Sequence, residues 1–574
     1  MPGSAPAGNR IDAPAPRVAA PGLQAAALLA LIVALLVLRN HAVVSSPRFW
    51  AEEADLLFAN AWLLPGADAL WTNTTLRSGY LNVFPVVATW LAAKLVALEL
   101  APAFALVAVA LVQGSALLLA LAGPRSELAS PLQRALVAAV LLWFPYHHGL
   151  LETWLSVMNA SVHFGVVALL ILLADERREG RGWRIASRLL LGIGAVTGPY
   201  TFVLAPLFVL KWLHLREREQ LVRALVVGVA AAVQGSLALG VLAGGEITDT
   251  RELGGLAASR PYVAVVFQVL YAIAGEIPGH MLLAGLRLLP ENPALGWGAA
   301  GAALGVVAAI ALGAWLVAAR GYTRTALLGA FATWFVFTTL FAVKGLAGYR
   351  YAVCPSIAFG LLLLHAATGP GSARRAGRGV LATLLAAGIA SGIAEWLLLP
   401  GPMTGQHQAD WRGEIAAWRR DPDHRVRAWP SSVWYTHLAA PARRDALVRA
   451  LERAPGTLTL RQAGGAVSLP LDADGLPAYF AIRFEACAAA GGELGLVGRS
   501  AQGVALVAHR EALAPGCAAT DLNSMTLAFA GFRDFSRVAS LDLSYSGPAG
   551  AEATLADFHL TTPVLTVAHP LSGD

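Results

Sequence analysis

The sequence predicts a polytopic α-helical membrane protein of about eleven spans, followed by a C-terminal β-sandwich. Three observations lead there. The 574 residues are 57% hydrophobic and only 14% charged, against roughly a quarter charged in soluble domains. Apolar runs long enough to cross about 30 Å of hydrocarbon recur up to residue 399. Beyond residue 455 the pattern changes to short alternating strands between Gly, Pro and Asp turns.

Taken in order, residues 1–20 are Pro/Ala-rich and read as a disordered cytoplasmic N-terminus. The apolar run after them lacks a cleavage pattern, so it reads as a span and not a signal peptide. Residues 21–399 form the transmembrane domain. Its candidate spans are 21–38, 101–122, 132–145, 158–174, 185–198, 199–213, 222–243, 295–319, 322–343, 349–368 and 379–399.

The stretch 80–98, "GYLNVFPVVATWLAAKLVA", is apolar enough to span but is broken by Lys94. Basic residues decide its placement, because they favour cytoplasmic loops. If it lies flat, all the arginine-rich loops share one side with Arg10 and Arg17: Arg125 with Arg134, "DERREGRGWRIASR", "KWLHLREREQLVR", Arg320 with Arg324, and "ARRAGR". If it spans, the five-arginine loop moves to the opposite side. It is therefore read as an interfacial helix within an outer segment 39–100. The N-terminus is then cytoplasmic in the cytoplasmic (inner) membrane, and everything after 400 is external. The net charge of +6 belongs to the inner loops, so topology, not nucleic acid, explains the arginines.

Residues 400–454 are rich in Trp, Arg and His and read as a juxtamembrane linker with a membrane-interface collar. Residues 455–574 read as the external β-sandwich. Cys487 and Cys517 both fall in it and are disulfide candidates in an oxidising compartment; Cys354 stands alone in a span. "LDADG", residues 471–475, lacks the further ligands of a calcium loop and reads as a turn.

Chemistry gathers on the outer side. "RFWAEEADLLF" sets Glu52, Glu53 and Asp55 just beyond the first span. They read either as a solvated helix start, since carboxylates favour helix N-termini, or as a partly desolvated general base. "FPYHHGLLETWLSVMNASVHF" offers His147, His148 and Glu152 in an outer loop. Asn159 and His163, four apart, share a helix face near the outer end of a span. Tyr80, Asn82 and Arg77 flank the interfacial helix as a candidate acceptor groove. Histidines with carboxylates suit a divalent metal, but no metal-binding spacing supports one, so no cofactor is assigned.

One span, an outer acidic pair, a Gly/Tyr/Pro-containing juxtamembrane stretch and a second span resemble the start of the GT-C superfamily of membrane glycosyltransferases. The resemblance covers roughly the first 120 residues and, beyond them, only the architecture. A second resemblance is the "VKGLAGYRYAVCPSIAF" stretch at a late outer mouth, where Arg350, Tyr351 and Pro355 match, with Lys344 just before. The resemblance implies a polyprenyl-phosphate-linked sugar donor and a glycan, lipid or protein acceptor. It implies Glu53 or Glu52 as base and Lys344, Arg350 and Tyr351 as the donor-phosphate site. His147, His148, Glu152, Asn159, His163 and Tyr80 would shape the sugar pocket. Arg offers a planar fork and Lys a point charge, both suited to phosphate. Rival readings are an O-antigen polymerase or ligase and a lipid-linked glycan flippase. The flippase would set its ionisable residues near the midplane, whereas here they sit at outer mouths.

Overall fold

The computed structural model describes residues 21–51, 53–63, 66, 69–70, 80–125, 127–144, 153–244, 293–318, 321–344, 349–369, 375–398, 410–422, 424, 426–429, 435–436, 438, 457–462, 466–470, 481–523 and 538–561. The helical part runs α1 (Pro21–Arg39), α2 (His41–Ser45), a π-helical turn (Glu53–Phe58), α3 (Ala59–Leu63), α4 (Val83–Leu95), α5 (Ala101–Ala122), α6 (Pro131–Trp143), α7 (Ala160–Leu172), α8 (Arg181–Ala195), α9 (Pro199–Phe202), α10 (Ala205–Leu215), α11 (Arg218–Gly244), α12 (Pro293–Val317), α13 (Tyr322–Lys344), α14 (Val353–Thr368), α15 (Arg375–Leu398) and α16 (Trp411–Arg420).

Most of the longer helices are apolar all round, which suits lipid on one side and protein on the other, whereas α8 and α16 carry arginines on one face. On α5, Val109, Val112 and Leu117 are buried while Val107 and Leu111 are exposed. The same division puts Leu210, Val229, Leu316, Leu340 and Leu397 on the outside of their helices. The chain is a multi-pass membrane protein. Its core is a continuous cluster in which α7 and α14 are buried along nearly their whole length.

The described helices match the span list in part. Among the described residues, four helices are long and apolar enough to cross a bilayer: Leu98–Ala122, Arg218–Leu239, Trp297–Val317 and Gly377–Leu397. Other expected spans appear as shorter apolar helices, including Gln24–Arg39, Pro131–Trp143, Ala160–Leu172 and Val353–Thr368. The expected span 199–213 is broken into α9 and α10. Pro199 and Pro206 each open a new helix there, because proline lacks the N–H that a continuing helix would need.

Loops sort to two ends. At the arginine-rich end, Asp175 N–H donates to the Pro124 carbonyl at 2.7 Å, and Lys211 Nζ donates to the Ala174 carbonyl at 2.7 Å. Buried Arg223 meets Glu179 at 2.6 Å, and Gln133 donates to Thr368 Oγ1 at 3.0 Å. Helix α6 starts there on a capping box in which Ser130 and Gln133 satisfy each other's backbone N–H.

At the opposite end lie residues 39–51, 53–63, 80–84, 97–100, 153–159, 196–198, 410–422, 424 and 426–429. Both ends of α4 are there: Val83 N–H donates to Val196 O at 3.2 Å, and Leu98 O accepts the Trp411 indole N–H at 2.8 Å. Helix α4 therefore starts and finishes on one side of the bundle. Its docking turn depends on Gly198, at φ 71°, where a Cβ would lie 2.6 Å from Ser161 Cβ.

Two short strands, β1 (Val426–Arg427) and β2 (Tyr435–Thr436), pair beside α16. The C-terminal sandwich follows as β3 (Thr457–Arg461), β4 (Val467–Pro470), β5 (Ala481–Ala488), β6 (Gly492–Arg499), β7 (Ala505–Leu513), β8 (Gly516–Asn523), β9 (Ser540–Ser546) and β10 (Glu552–Thr561). One antiparallel sheet has the order β3-β10-β5-β8 and the other β4-β9-β6-β7. First strand beside last and second beside last-but-one is the jelly-roll arrangement. Alternating residues such as Leu458, Leu460, Phe484, Leu494, Leu496, Leu541, Leu543 and Leu555 fill the space between the sheets. Cys487 and Cys517 are register partners on β5 and β8 and are disulfide-linked.

Candidate functional site

The acidic loop closes on itself. The rings of Phe49 and Phe58 stack with centroids 4.4 Å apart, which brings the two ends of the loop together. Between them the chain forms a π-helical turn from Glu53 to Phe58, a form enriched at functional sites. Ala51, just before it, sits at φ 29°. A residue with a Cβ adopts positive φ only where its surroundings enforce it.

Glu53 turns inward and is 3% exposed, so the solvated-helix-start alternative does not hold for it. Its Oε2 accepts the Trp50 N–H at 3.0 Å. Its Oε1 accepts the Ser156 hydroxyl at 2.7 Å and the Met158 N–H at 2.8 Å. Burial raises the carboxyl above its ordinary range, and these donors offset only part of that rise.

The partner loop, 153–159, is itself strained, with Leu155 at φ 56°. Asn159 Nδ2 donates to Ser156 Oγ at 3.3 Å. His163 Nε2 lies 2.9 Å from the Thr153 carbonyl and 2.8 Å from the Gln113 amide nitrogen. Both of these expected pocket residues thus reach back and brace the loop that holds Glu53. Asn82 Nδ2 approaches Met158 Sδ at 3.7 Å, so the 80–82 stretch touches the same loop. Tyr80 is half-buried beside Gly198.

Arg39 was not among the residues singled out from sequence. It ends α1, is 1% exposed, and donates from Nε to the Leu142 carbonyl at 3.0 Å. Its guanidinium lies 5.0 Å from the centre of the Trp154 ring, and that ring is 5.1 Å from His163. The sequence signal was available: an arginine ends the first span on the side where the loop reading places few cations.

The late-span segment also meets this region. Tyr349–Ala352 forms a single 3-10 turn leading into α14. Cys354 Sγ donates to the Val162 carbonyl at 3.4 Å, one residue from His163. Tyr351 is half-buried and Pro355 buried. The side chains of Lys344, Arg350 and Asp55, and residues Glu52, Arg77, His147, His148 and Glu152, lie outside what is described.

Among the described residues, the one cluster with metal-ligand geometry is Glu485 with Cys487 and Cys517, and the disulfide uses both of its sulfurs. An apolar groove lined by Phe202, Val209, Leu210 and Ala231 lies on other helices, away from Glu53.

No family model and no curated protein matches the chain. Two solved structures are similar to it. One is ArnT from Cupriavidus metallidurans bound to undecaprenyl phosphate, at 16% identity over 66% of this chain and 78% of that one, with a TM-score of 0.26. The other is the arabinosyltransferase EmbB from Mycobacterium smegmatis, at 11% identity over 96% of this chain and 66% of that one, with a TM-score of 0.24. With overlays this loose, the likenesses transfer no residue and no activity to this chain.

Proposed function

We propose that the chain is a GT-C-type membrane glycosyltransferase. It takes a sugar from a polyprenyl-phosphate donor and passes it to a hydroxyl on a glycan, lipid or protein at the outer face of the cytoplasmic membrane. The arginine-rich end of the bundle is the cytoplasmic one, and the jelly roll is external and holds acceptor glycan. The observation that supports this best is a buried carboxylate, Glu53, on a strained turn held by the loop that opens α7, the helix against which Cys354 of α14 also packs.

In this reading the acceptor hydroxyl attacks C1 of the donor sugar and gives its proton to Glu53. The Ser156 hydroxyl and the Trp50, Met158 and Val157 N–H groups donate to this carboxylate, and they hold it in place to take the proton. A raised pKa makes the carboxylate a stronger base. The bond from C1 to the phosphate oxygen breaks, and the lipid phosphate leaves with the electron pair. Lys344 and Arg350 neutralise it.

A second reading is favoured by the same hydrogen bonds. Four donors on one carboxylate, the Val157 N–H included, also describe a structural keystone, and the base would then be Glu52. Mass spectrometry of surface glycans in a strain lacking the protein tests the general proposal. A missing sugar or truncated glycan is the expected result; an unchanged glycan profile opposes it.

A further inference from the structure

The segment after the last apolar helix reads from sequence as a linker, yet its described part folds over the acidic loop. Helix α16 starts on Asp410, whose side chain accepts the Gly413 N–H at 2.6 Å. Trp411 is 2% exposed. It stands edge-on to Phe49 at 5.3 Å and to Phe58 at 6.0 Å, the two rings that close the loop around Glu53. Its indole N–H donates to Leu98 O at 2.8 Å.

Further along, Arg419 pairs with Glu99 at 2.7 Å, and Trp418 packs on Trp62 at 6.4 Å. The chain then runs alongside the loop itself. Trp429 N–H donates to Phe49 O at 3.0 Å, and Ala51 N–H donates to Trp429 O at 2.5 Å. Glu414, 3% exposed, ties the segment together by accepting from His424 Nε2 at 2.8 Å and Arg427 N–H at 3.1 Å.

We infer that the described residues between Asp410 and Trp429 form a clamp that positions Glu53, with Trp411 as its principal positioning residue. This rests on Glu53 being the base. A tryptophan in an interface collar keeps its N–H at the headgroups, whereas the Trp411 N–H is spent inside the protein. The positive φ of Ala51 is held by the N–H it donates to Trp429 O, next to the Trp429 N–H that Phe49 O accepts. Strain of this kind persists only where neighbours over-determine it. Without the ring of Trp411, Phe49 and Phe58 lose their common partner, and the turn that starts at Glu53 is free to relax.

The test uses full-length protein in membranes with the polyprenyl-phosphate-linked sugar found to support transfer. Trp411→Ala, Trp411→Phe and Glu53→Gln are compared with wild type. Two quantities are read against pH: turnover, and carbodiimide labelling of Glu53 by peptide mass spectrometry, which needs no activity. Trp411→Ala is expected to lower kcat by about a hundredfold, the scale of a misplacement near 1 Å, with the donor KM unchanged. Its acid limb and its labelling midpoint move to lower pH, because a loosened carboxylate meets water. Trp411→Phe, which keeps a ring against Phe49 and Phe58, recovers most of the turnover.

The clamp is overturned if Trp411→Ala gives labelling and acid limb that superimpose on wild type, with activity lost only in proportion to folded protein. Should Trp411→Ala not be recovered from membranes, labelling of Trp411→Leu is read the same way. An inactive Glu53→Gln beside an unmoved Trp411→Ala sinks the clamp alone. A fully active Glu53→Gln sinks both the base and the clamp.

Discussion

Replacing Glu53 by glutamine tests the base directly, and the structure gives the size of the effect. The amide keeps the shape of the carboxylate but has one acceptor oxygen in place of two. With that oxygen facing Ser156 and Met158, the NH2 group meets the Trp50 N–H, donor against donor. An unmet donor of this kind costs about 1–3 kcal/mol of local stability. Losing a general base costs a further hundred- to ten-thousandfold in rate, or about 2.7–5.5 kcal/mol of barrier. The two losses separate by assay: folded protein by detergent-resistant thermal melting, and transfer per folded molecule with the lipid donor. The pH profile adds a sign. The active form is the ionised carboxylate, and burial raises its pKa. Activity is therefore lost as pH falls through a value above the ordinary carboxylate range, and Glu53→Gln abolishes that limb. Stability runs the other way. A carboxyl whose folded pKa is raised contributes most below its unfolded pKa, and that contribution is lost as pH rises through the folded value. Glu52→Gln, run in parallel, should stay near wild type. Glu53→Gln keeping more than about a third of wild-type turnover would refute the reasoning, since even weak general bases supply about a hundredfold. If Glu52→Gln is the inactive one, Glu53 is the keystone.

Gly198→Ala forces a Cβ onto a left-handed residue and to 2.6 Å from Ser161 Cβ. It should cost at least about 2 kcal/mol, read as a lower melting temperature and easier proteolysis between 80 and 98. The Cys487–Cys517 bridge closes a sequence separation of 30 and should contribute about 3–4 kcal/mol to the jelly roll in the chain-entropy model. Thermal melts of Cys487→Ser with Cys517→Ser check this, and alkylation of both thiols in unreduced, denatured wild type would contradict the bridge. Reporters fused after residues 185, 218 and 376 should read as cytoplasmic, and those after 70, 150, 270 and 430 as external. An external 185 fusion would contradict the flat placement of 80–98.

The helical membrane class was legible because composition and apolar runs are bulk properties. The flat placement of 80–98 came from counting arginines, and the reporter fusions above are its test. Helix lengths were less legible. Prolines at 199 and 206 split an apolar run that hydropathy reads as continuous. In the sandwich, β3, β5, β7, β9 and β10 announced themselves by alternation, whereas β6, "GELGLVGR", and β8, "GCAATDLN", did not, and the expected strand "SMTLAFA" lies outside the described residues. Their small residues carry little β propensity, and pairing with neighbours makes them strands. At the site, the acidic loop was legible as chemistry, but its burial was not. Burial comes from Ser156, Met158 and Trp411, about 100 and more than 350 residues away in sequence. Arg39 was passed over because it looked like the end of a span, and only the fold stacks it on Trp154.

The most direct measurement is transfer by the purified full-length protein in liposomes holding polyprenyl-phosphate-linked sugars and acceptor glycans, with lipid products read by mass spectrometry. The expected result is release of free polyprenyl phosphate in step with a sugar added to the acceptor, abolished in Glu53→Gln. Intact donor with every sugar tested, together with movement of the donor lipid from one leaflet to the other, would contradict glycosyl transfer and favour a flippase.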